Sequence, residues 1–583
     1  MDKDLQDTRS RTETFSHCFV RSTAPSTATS AVIRHILASR SAQPNAFGAK
    51  IPVPTALKVH MWAHLLRHYD DKIVAEFLKY GWPINYSSHQ SPLSTPHNHQ
   101  SALAFADHVR HYIKTELSFG AIAGPFSVNP LSKPLVCSPL QTVPKRGSST
   151  RRVVMDLSFP PDGSVNSVIP LNTYLDSPFK LRLPGIDRLC ELILSKGRGC
   201  LIYKKDLQRA YRQIPIDPRD YHLLGFNFDN QFYFDARCPF GLRTSAMICQ
   251  RTTKAVIYIF TQSDFSADVY LDDFYGAEFP ALANTAFATL QTLFDSLGLA
   301  SSPEKDSPPA VEMVCLGILV NTEDSTLRVP DSRLRDLSDE LQLWLSRERF
   351  TIKELQSLLG KLSFVTACVH ASRIFLSRLL NALRSFPSHA KHQPVTLAMR
   401  QDLLWWNTFL PLFNGVSVIK PDEWSFANLR FSTDACMVRG GATCLDKCIT
   451  VAFPDPVISV ATHISALELF TIVVAVKFWA PVLQHQRFII SCDNEAAVTV
   501  INSGSTRDPF MQRCLRELWF LSALHDFDIR ARHIPGEHNS LADALSRWDD
   551  PAYQVHFAKT SQELGISYVF DQIPGDFIFY DVD

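Results

Sequence analysis

The sequence predicts a mixed α/β chain with more than one compact unit. Three observations predict it. The chain has 583 residues, room for about four units at ~150 residues each. Hydrophobic residues make up 45% and charged residues 20%, enough for sizeable cores. Strand-like runs alternate with helical ones from Pro130 to Val329 and again from Leu429. With 22 glycines and 36 prolines, a collagenous or low-complexity chain is excluded. The 58 basic and 58 acidic residues balance, which excludes a globally basic nucleic-acid binder but leaves room for a local basic groove. The longest apolar run, Phe470 to Leu483, is broken by Lys477, so no membrane span is expected. The acidic start, Met1 to Asp7, leads into no apolar stretch and does not read as a signal peptide. The 13 cysteines include no C-x-x-C pair and read as reduced thiols of an intracellular protein.

In chain order, residues 1–48 are rich in Ser, Thr, Ala and Arg and are expected to form a flexible leader. Residues 49–125 carry short amphipathic helices around Trp62, Leu65 and Leu66, then Ile73, Phe77 and Leu78, with a further helix from Ala102 to Leu117. Strands are expected at Val153–Met155, Cys200–Tyr203 and Val311–Val320 within the unit 126–330. Residues 331–425 read as helical. The first helix opens with Pro330 in its first turn. The second has Thr351 as its N-cap and Glu354 three residues on, a capping box. A second α/β unit spans 426–548, and 549–583 is an acidic, aromatic tail without an assignable element.

The strongest local signal is Tyr270-Leu271-Asp272-Asp273 between apolar flanks. Alone, it also reads as a hairpin turn, which Asp favours. Upstream, Asp206 follows the strand Leu201-Ile202-Tyr203, and Pro239-Phe240-Gly241-Leu242 lies between the two. Phosphoryl transfer to a 3′-hydroxyl uses two divalent ions ~3.5–4 Å apart, held by hard oxygen ligands. A carboxylate ending one strand and another from a neighbouring hairpin turn supply such ligands.

This ordered set resembles the palm of a reverse transcriptase. Asp206 matches motif A, and Pro239 to Gln250 is similar to motif B. Tyr270-Leu271-Asp272-Asp273 matches motif C, Leu297-Gly298-Leu299 with Lys305 resembles motif D, and Leu316-Gly317 resembles motif E. Pro144-Lys145-Arg146 and Arg151 to Asp156 resemble the fingers. The resemblance implies that Asp206, Asp272 and Asp273 bind metal and that Lys145 and Arg152 meet the incoming triphosphate. It places Phe240, Gly241, Gln250 and Lys305 around the nucleotide. Tyr211 would sit under the sugar and exclude a ribose 2′-hydroxyl. The bland alternatives are a solvated basic loop for Lys145 and Arg152 and a core position for Tyr211.

Four further acids sit against apolar segments: Asp434, Glu468, Asp493 and Asp543. Each alone is an ordinary cap or surface residue. Strand Asp, helix Glu, strand-end Asp and helix Asp, in that order, resemble a ribonuclease H domain with a second pair of metal ions. The segment His533 to Asn539, then Asp543 to Arg547, is similar to the end of a retrotransposon ribonuclease H. Its loop after Pro535 is short, which leaves His538, His533 or no histidine as the partner of the acids.

The fold implied is α/β (α+β): a right-hand polymerase of fingers, palm and helical thumb or connection, then a ribonuclease H-like domain. The implied cofactor is Mg²⁺, with Mn²⁺ as the alternative. The implied partners are an RNA template, a DNA primer/template, an RNA–DNA hybrid and dNTPs. Trp62 to Pro83, Gly360 to Phe364, Arg373 to Leu376 and Leu403 to Trp406 resemble the DIRS-like, tyrosine-recombinase retrotransposons. No integrase zinc segment or protease signature stands in the sequence, which implies a separate recombinase or integrase. Alternatives are a Gypsy-like or pararetrovirus-like polymerase, and a domesticated copy that only binds nucleic acid.

Overall fold

The structure, a computed structural model, describes residues 45–46, 49–87, 96–144, 150–366, 368–387, 390–413, 415–419, 429–461, 463–504 and 506–574. Apart from Asn45–Ala46, which pair as a short strand with Ala49–Lys50, the expected leader lies outside the described residues, as does Lys145. The chain divides into two compact units, Met1–Leu316 and Gly317–Asp583.

The first unit opens with α1 (Val59–Leu65) and α2 (Ile73–Tyr80). Their apolar faces join the core of the unit, and Trp62 Nε1 donates to Leu297 O at 3.0 Å. The helix expected over 102–117 is instead two, α3 (Gln100–Ala104) and α4 (Ala106–Phe119). They break at Phe105, whose ring lies 3.8 Å below the Arg151 guanidinium. Next come β1 (Ile122–Phe126) and the hairpin of β2 (Leu140–Pro144) and β3 (Arg151–Met155). Then follow α5 (Ile186–Lys196), β4 (Leu201–Asp206), β5 (Gly225–Phe228) and β6 (Gln231–Asp235). The long helix α6 (Ser245–Thr261) leads into β7 (Ala267–Tyr270), β8 (Asp273–Glu278), α7 (Pro280–Leu297) and β9 (Ser307–Ala310).

The central antiparallel sheet runs β7-β8-β4-β9. Its strands β4, β7 and β8 are largely buried, and α6 and α7 cover it with buried Ile248, Val256, Ile259, Leu290 and Phe294. This sheet positions the first acids. The strand expected over 311–320 is interrupted, because Leu316 and Gly317 both take positive φ (49° and 82°), a turn conformation that breaks a strand.

The second unit begins with β10 (Ile318–Asn321), β11 (Thr326–Arg328) and four helices. These are α8 (Asp331–Ser346), α9 (Ile352–Thr366), α10 (Ser377–Arg384) and α11 (Leu397–Leu412), and β12 (Val416–Val418) then pairs with β11. Pro330 is the residue before α8, not its first turn. The capping box of α9 is closed: Thr351 N–H donates to Glu354 Oε2 (2.7 Å) and Glu354 N–H to Thr351 Oγ1 (3.3 Å). Trp405 and Trp406 are core residues, with Trp405 stacked on Phe375 at 3.6 Å.

The rest of this unit is a six-stranded sheet with helices. In chain order they are β13 (Ser432–Ala435), β14 (Arg439–Cys444), β15 (Lys447–Ala452), α12 (Ile464–Phe478), β16 (Arg487–Cys492), α13 (Glu495–Ser503), α14 (Pro509–His525), β17 (Asp528–His533), α15 (Ser540–Ser546), α16 (Pro551–Glu563) and β18 (Val569–Phe570). The strand order is β17-β16-β13-β14-β15-β18. The pairs β13–β14 and β14–β15 are antiparallel, while β13–β16 and β16–β17 are parallel. The tail, 549–583, has no assignment from sequence. It contains α16, whose Phe557 packs on Trp548 and Tyr568, and β18, which adds to β15 in parallel. No described helix is long and apolar enough to cross a membrane.

Candidate active sites

The first site lies at one end of the β7-β8-β4-β9 sheet. Asp206 is the last residue of β4 and stands opposite Asp273, the first of β8. Tyr270 pairs with Asp273, so Leu271 and Asp272 form a two-residue hairpin loop. Leu271 takes φ 57°, a strained conformation for a leucine. Gln250 of α6 stabilises it: its Oε1 accepts from Leu271 N–H (2.8 Å) and its Nε2 donates to Val269 O (2.9 Å). Gln250 is buried, and both ends of its amide are engaged with this hairpin.

The acids repel one another. Burial, then Asp273 and Asp206, push the Asp272 carboxyl up to about 6. Burial also raises Asp273; Lys204 opposes the shift and Asp206 adds to it. Lys305 Nζ meets Asp206 Oδ1 at 2.8 Å, and this bond raises the lysine's own pKa. Lys204 and Lys305 do not balance three carboxylates, so the oxygens fit divalent cations.

Beside the acids, the rings of Tyr211 and Phe240 meet edge to face at 5.2 Å, with Phe240 46% exposed. Burial, then Cys249 and Asp272, raise the Tyr211 phenol, so it stays neutral. Gly241 takes φ 98°, and a Cβ there would stand 2.4 Å from Met155 O. Asn166 fixes this loop, donating from Nδ2 to Gly241 O (2.7 Å) and accepting at Oδ1 from Arg243 N–H (2.9 Å). Arg152 is exposed on β3.

The second site gathers acids from four elements of the second unit. Asp434 on β13 and Glu468 on α12 are both buried, Asp493 follows β16, and Asp543 lies on α15. Two adjacent glycines permit the approach. A Cβ on Gly440 would meet Thr471 Oγ1 of α12 at 2.3 Å, and one on Gly441 would meet Leu545 Cβ of α15 at 2.4 Å. The sheet is therefore gripped closely on both faces. Gly441 is the register partner of Asp434, which puts α15 directly beside that carboxylate.

Burial, then Asp434 and Asp493, push Glu468 up to about 9. Asp434 is pushed up to about 7 by burial, with Asp493 and Asp543 adding to it against a Ser546 hydrogen bond and Arg547. Arg547 Nε pairs with Asp543 Oδ1 at 2.9 Å. Oxygens of Glu468 and Asp493 and the Cys492 sulfur all lie within 4.8 Å of one another. Buried carboxylates raised this far fit a cation. His533 Nε2 is 3.1 Å from the backbone carbonyl of Asp493, and both His533 and His538 are exposed.

These shifts set a pH dependence. Glu468, ordinarily near 4.5, holds a proton in the fold that the unfolded chain releases, so metal-free stability falls as pH rises from about 5 to about 9. Glu468→Gln is expected to flatten this slope and to melt above the parent near the top of the window, with the gap closing towards its acid end. Melting scans in chelator across that range check it; parallel curves would count against the assignment.

Sequence reasoning overlooked Asn166, Ser546 and Cys492, single polar residues whose roles depend on partners far along the chain.

With this geometry in hand, known proteins were compared. Residues 143–317 match the family model "Reverse transcriptase (RNA-dependent DNA polymerase)", so the chain carries a domain of that family. It is similar to the polyprotein P3 of Commelina yellow mottle virus, 27% identical over 386 residues, 63% of this chain and 19% of that polyprotein. It is also similar to the Transposon Tf2-3 polyprotein of Schizosaccharomyces pombe, 24% identical over 451 residues, 75% of this chain and 31% of that polyprotein. The chain thus spans between a fifth and a third of these relatives. Among solved structures, it aligns with a foamy viral protease-reverse transcriptase in complex with dsDNA at 15% identity and a TM-score of 0.46, covering 89% of this chain and 99% of that one.

Proposed function

We propose that the chain is a retroelement reverse transcriptase, an RNA- and DNA-directed DNA polymerase, that also cuts the RNA strand of RNA–DNA hybrids. The observation that carries the polymerase reading is the convergence of Asp206, Asp272 and Asp273 inside the matched domain. These three would hold a pair of Mg²⁺ or Mn²⁺ ions. When bound, such ions acidify an attacking hydroxyl and stabilise charge on the phosphate.

The chain's own residues do the rest. Gln250 holds the strained Asp272 hairpin so that its carboxylate needs no reorganisation. Lys305 offsets part of the charge on Asp206. Tyr211 and Phe240 form an apolar wall for a nucleotide sugar, and Arg152, with Lys145, meets the triphosphate. The template is held by its backbone, with little base readout. Asp434, Glu468, Asp493 and Asp543 form the ribonuclease centre.

The proposed organisation is a helical extension over 49–125, fingers and palm over 126–330, a helical thumb over 331–425 and a ribonuclease H-like domain over 426–548. The proposed location is intracellular, with integration left to a separate recombinase or integrase. Membership of the DIRS-like group is supported by the motif-like stretches around 62–83, 360–376 and 403–406. Similarity to the Commelina yellow mottle virus polyprotein favours a second reading, a pararetrovirus-like polymerase.

Primer extension on an RNA template by the purified chain tests the function. Absence of any Mg²⁺- or Mn²⁺-dependent extension would overturn it. Sugar choice gives a sharper test. Tyr211→Val is expected to raise ribonucleotide relative to deoxynucleotide incorporation by at least ~10-fold, the size of an interaction worth about 1.4 kcal/mol. An unchanged ratio in a folded variant would return Tyr211 to a core role.

A further inference from the structure

The second acidic site differs from an all-oxygen cation site in one donor. Cys492 ends β16, is fully buried, and its thiol donates to Glu468 Oε2 at 3.7 Å. Its sulfur lies within 4.8 Å of an oxygen of Glu468 and an oxygen of Asp493, and those oxygens are equally close to each other. A tetrahedral Zn²⁺ separates its sulfur and oxygen ligands by roughly 3.5 Å. Small side-chain rotations would close the set to that size. Thiolate sulfur, unlike carboxylate oxygen, favours soft and borderline cations over Mg²⁺.

An independent observation comes from the adjacent strand. Thr433 on β13 is in parallel register with Cys492, so their side chains leave the same face of the sheet from backbones about 5 Å apart, and the hydroxyl stops short of the sulfur. Its Oγ1 is completely buried and has no hydrogen-bond partner. Such a hydroxyl is destabilising unless something reaches it. A thiolate at Cys492 would accept its hydrogen bond, and that state is the one a bound soft cation creates. Asp434 extends towards the opposite face, beside Ser546 and α15.

We propose that Glu468, Cys492 and Asp493 form a site for a thiophilic divalent cation, Zn²⁺ or its analogue Cd²⁺, with the Cys492 sulfur as a direct ligand. On binding, the thiol proton leaves to solvent as the metal–sulfur bond forms, and the Thr433 hydroxyl donates to the sulfur. The site shares two carboxylates with the proposed ribonuclease centre, but it rests on the donor set and not on RNA cleavage.

The test uses the full chain, metal-free, titrated with Cd²⁺. The parent is expected to develop an ultraviolet sulfur-to-metal charge-transfer band that saturates at one equivalent. Cys492→Ser should lose the band and bind Cd²⁺ about 100-fold more weakly, while Cys444→Ser keeps both. Equal bands in the parent and Cys492→Ser would overturn the proposal. Cadmium NMR of the parent needs no variant: a shift typical of one sulfur with oxygen ligands supports the site, and an all-oxygen or multi-sulfur shift overturns it. Neither readout depends on hydrolysis. A chain that binds Cd²⁺ through Cys492 yet cuts no hybrid would sink the ribonuclease reading alone, and the reverse result would sink this one alone.

Discussion

Asp272→Asn is expected to slow primer extension by roughly 10²-fold or more. The change keeps the shape of the side chain and removes one charged metal ligand, which costs several kcal/mol of transition-state stabilisation. The fold should tolerate it, because burial and the neighbours Asp273 and Asp206 already disfavour the charged form of Asp272. Removing that charge relieves repulsion in the metal-free chain, so the variant should melt no lower than the parent. Single-turnover extension on a fixed primer and template, beside a melting curve, separates the two effects. Extension at near-parent rate would remove Asp272 from the catalytic set.

Asp493→Asn should abolish RNA cleavage while leaving DNA synthesis largely intact. Asp493 belongs to a cluster drawn wholly from the second unit, and Asp206, Asp272 and Asp273 lie in the first. A lost ligand here should again cost roughly 10²-fold or more, read in hybrid cleavage alone. Both assays belong on the same preparations. If the variant lost synthesis and kept cleavage, the division of labour between the two sets of acids would be wrong. His538→Ala should be milder than any acid replacement, since the loop after Pro535 is short and His538 is exposed.

Much of the first site was legible because its residues carry information locally. Tyr270 to Asp273 is a hairpin between apolar strands, and Asp206 ends a strand, so each acid could be placed on its element. The strain at Leu271 was not legible, because no side chain marks φ, and neither was the use of both ends of Gln250 to hold it. In the second site, the order of the acids was readable from their apolar flanks. What brings Asp434 and α15 together is the missing Cβ at Gly441, 102 positions before Asp543. The split of the expected 102–117 helix at Phe105 involves a ring-to-guanidinium contact with Arg151, which helical periodicity cannot reveal. The tail gave no assignment for a similar reason: β18 is only two residues long, and it and α16 gain their order by docking on Trp548 and β15.

That docking has a consequence for how the chain behaves among its copies. β15 is the strand at which the second sheet would otherwise end, with a row of unanswered amides and carbonyls, an adhesive surface for any other extended segment. Val569 and Phe570 occupy its first two positions, pairing with Lys447 and Cys448, and Asp571 N–H adds a bond to Cys448 O at 2.9 Å. The last stretch of described chain thus works as a stopper. Removing it would bare those first positions of the rim to any extended segment of a neighbouring chain.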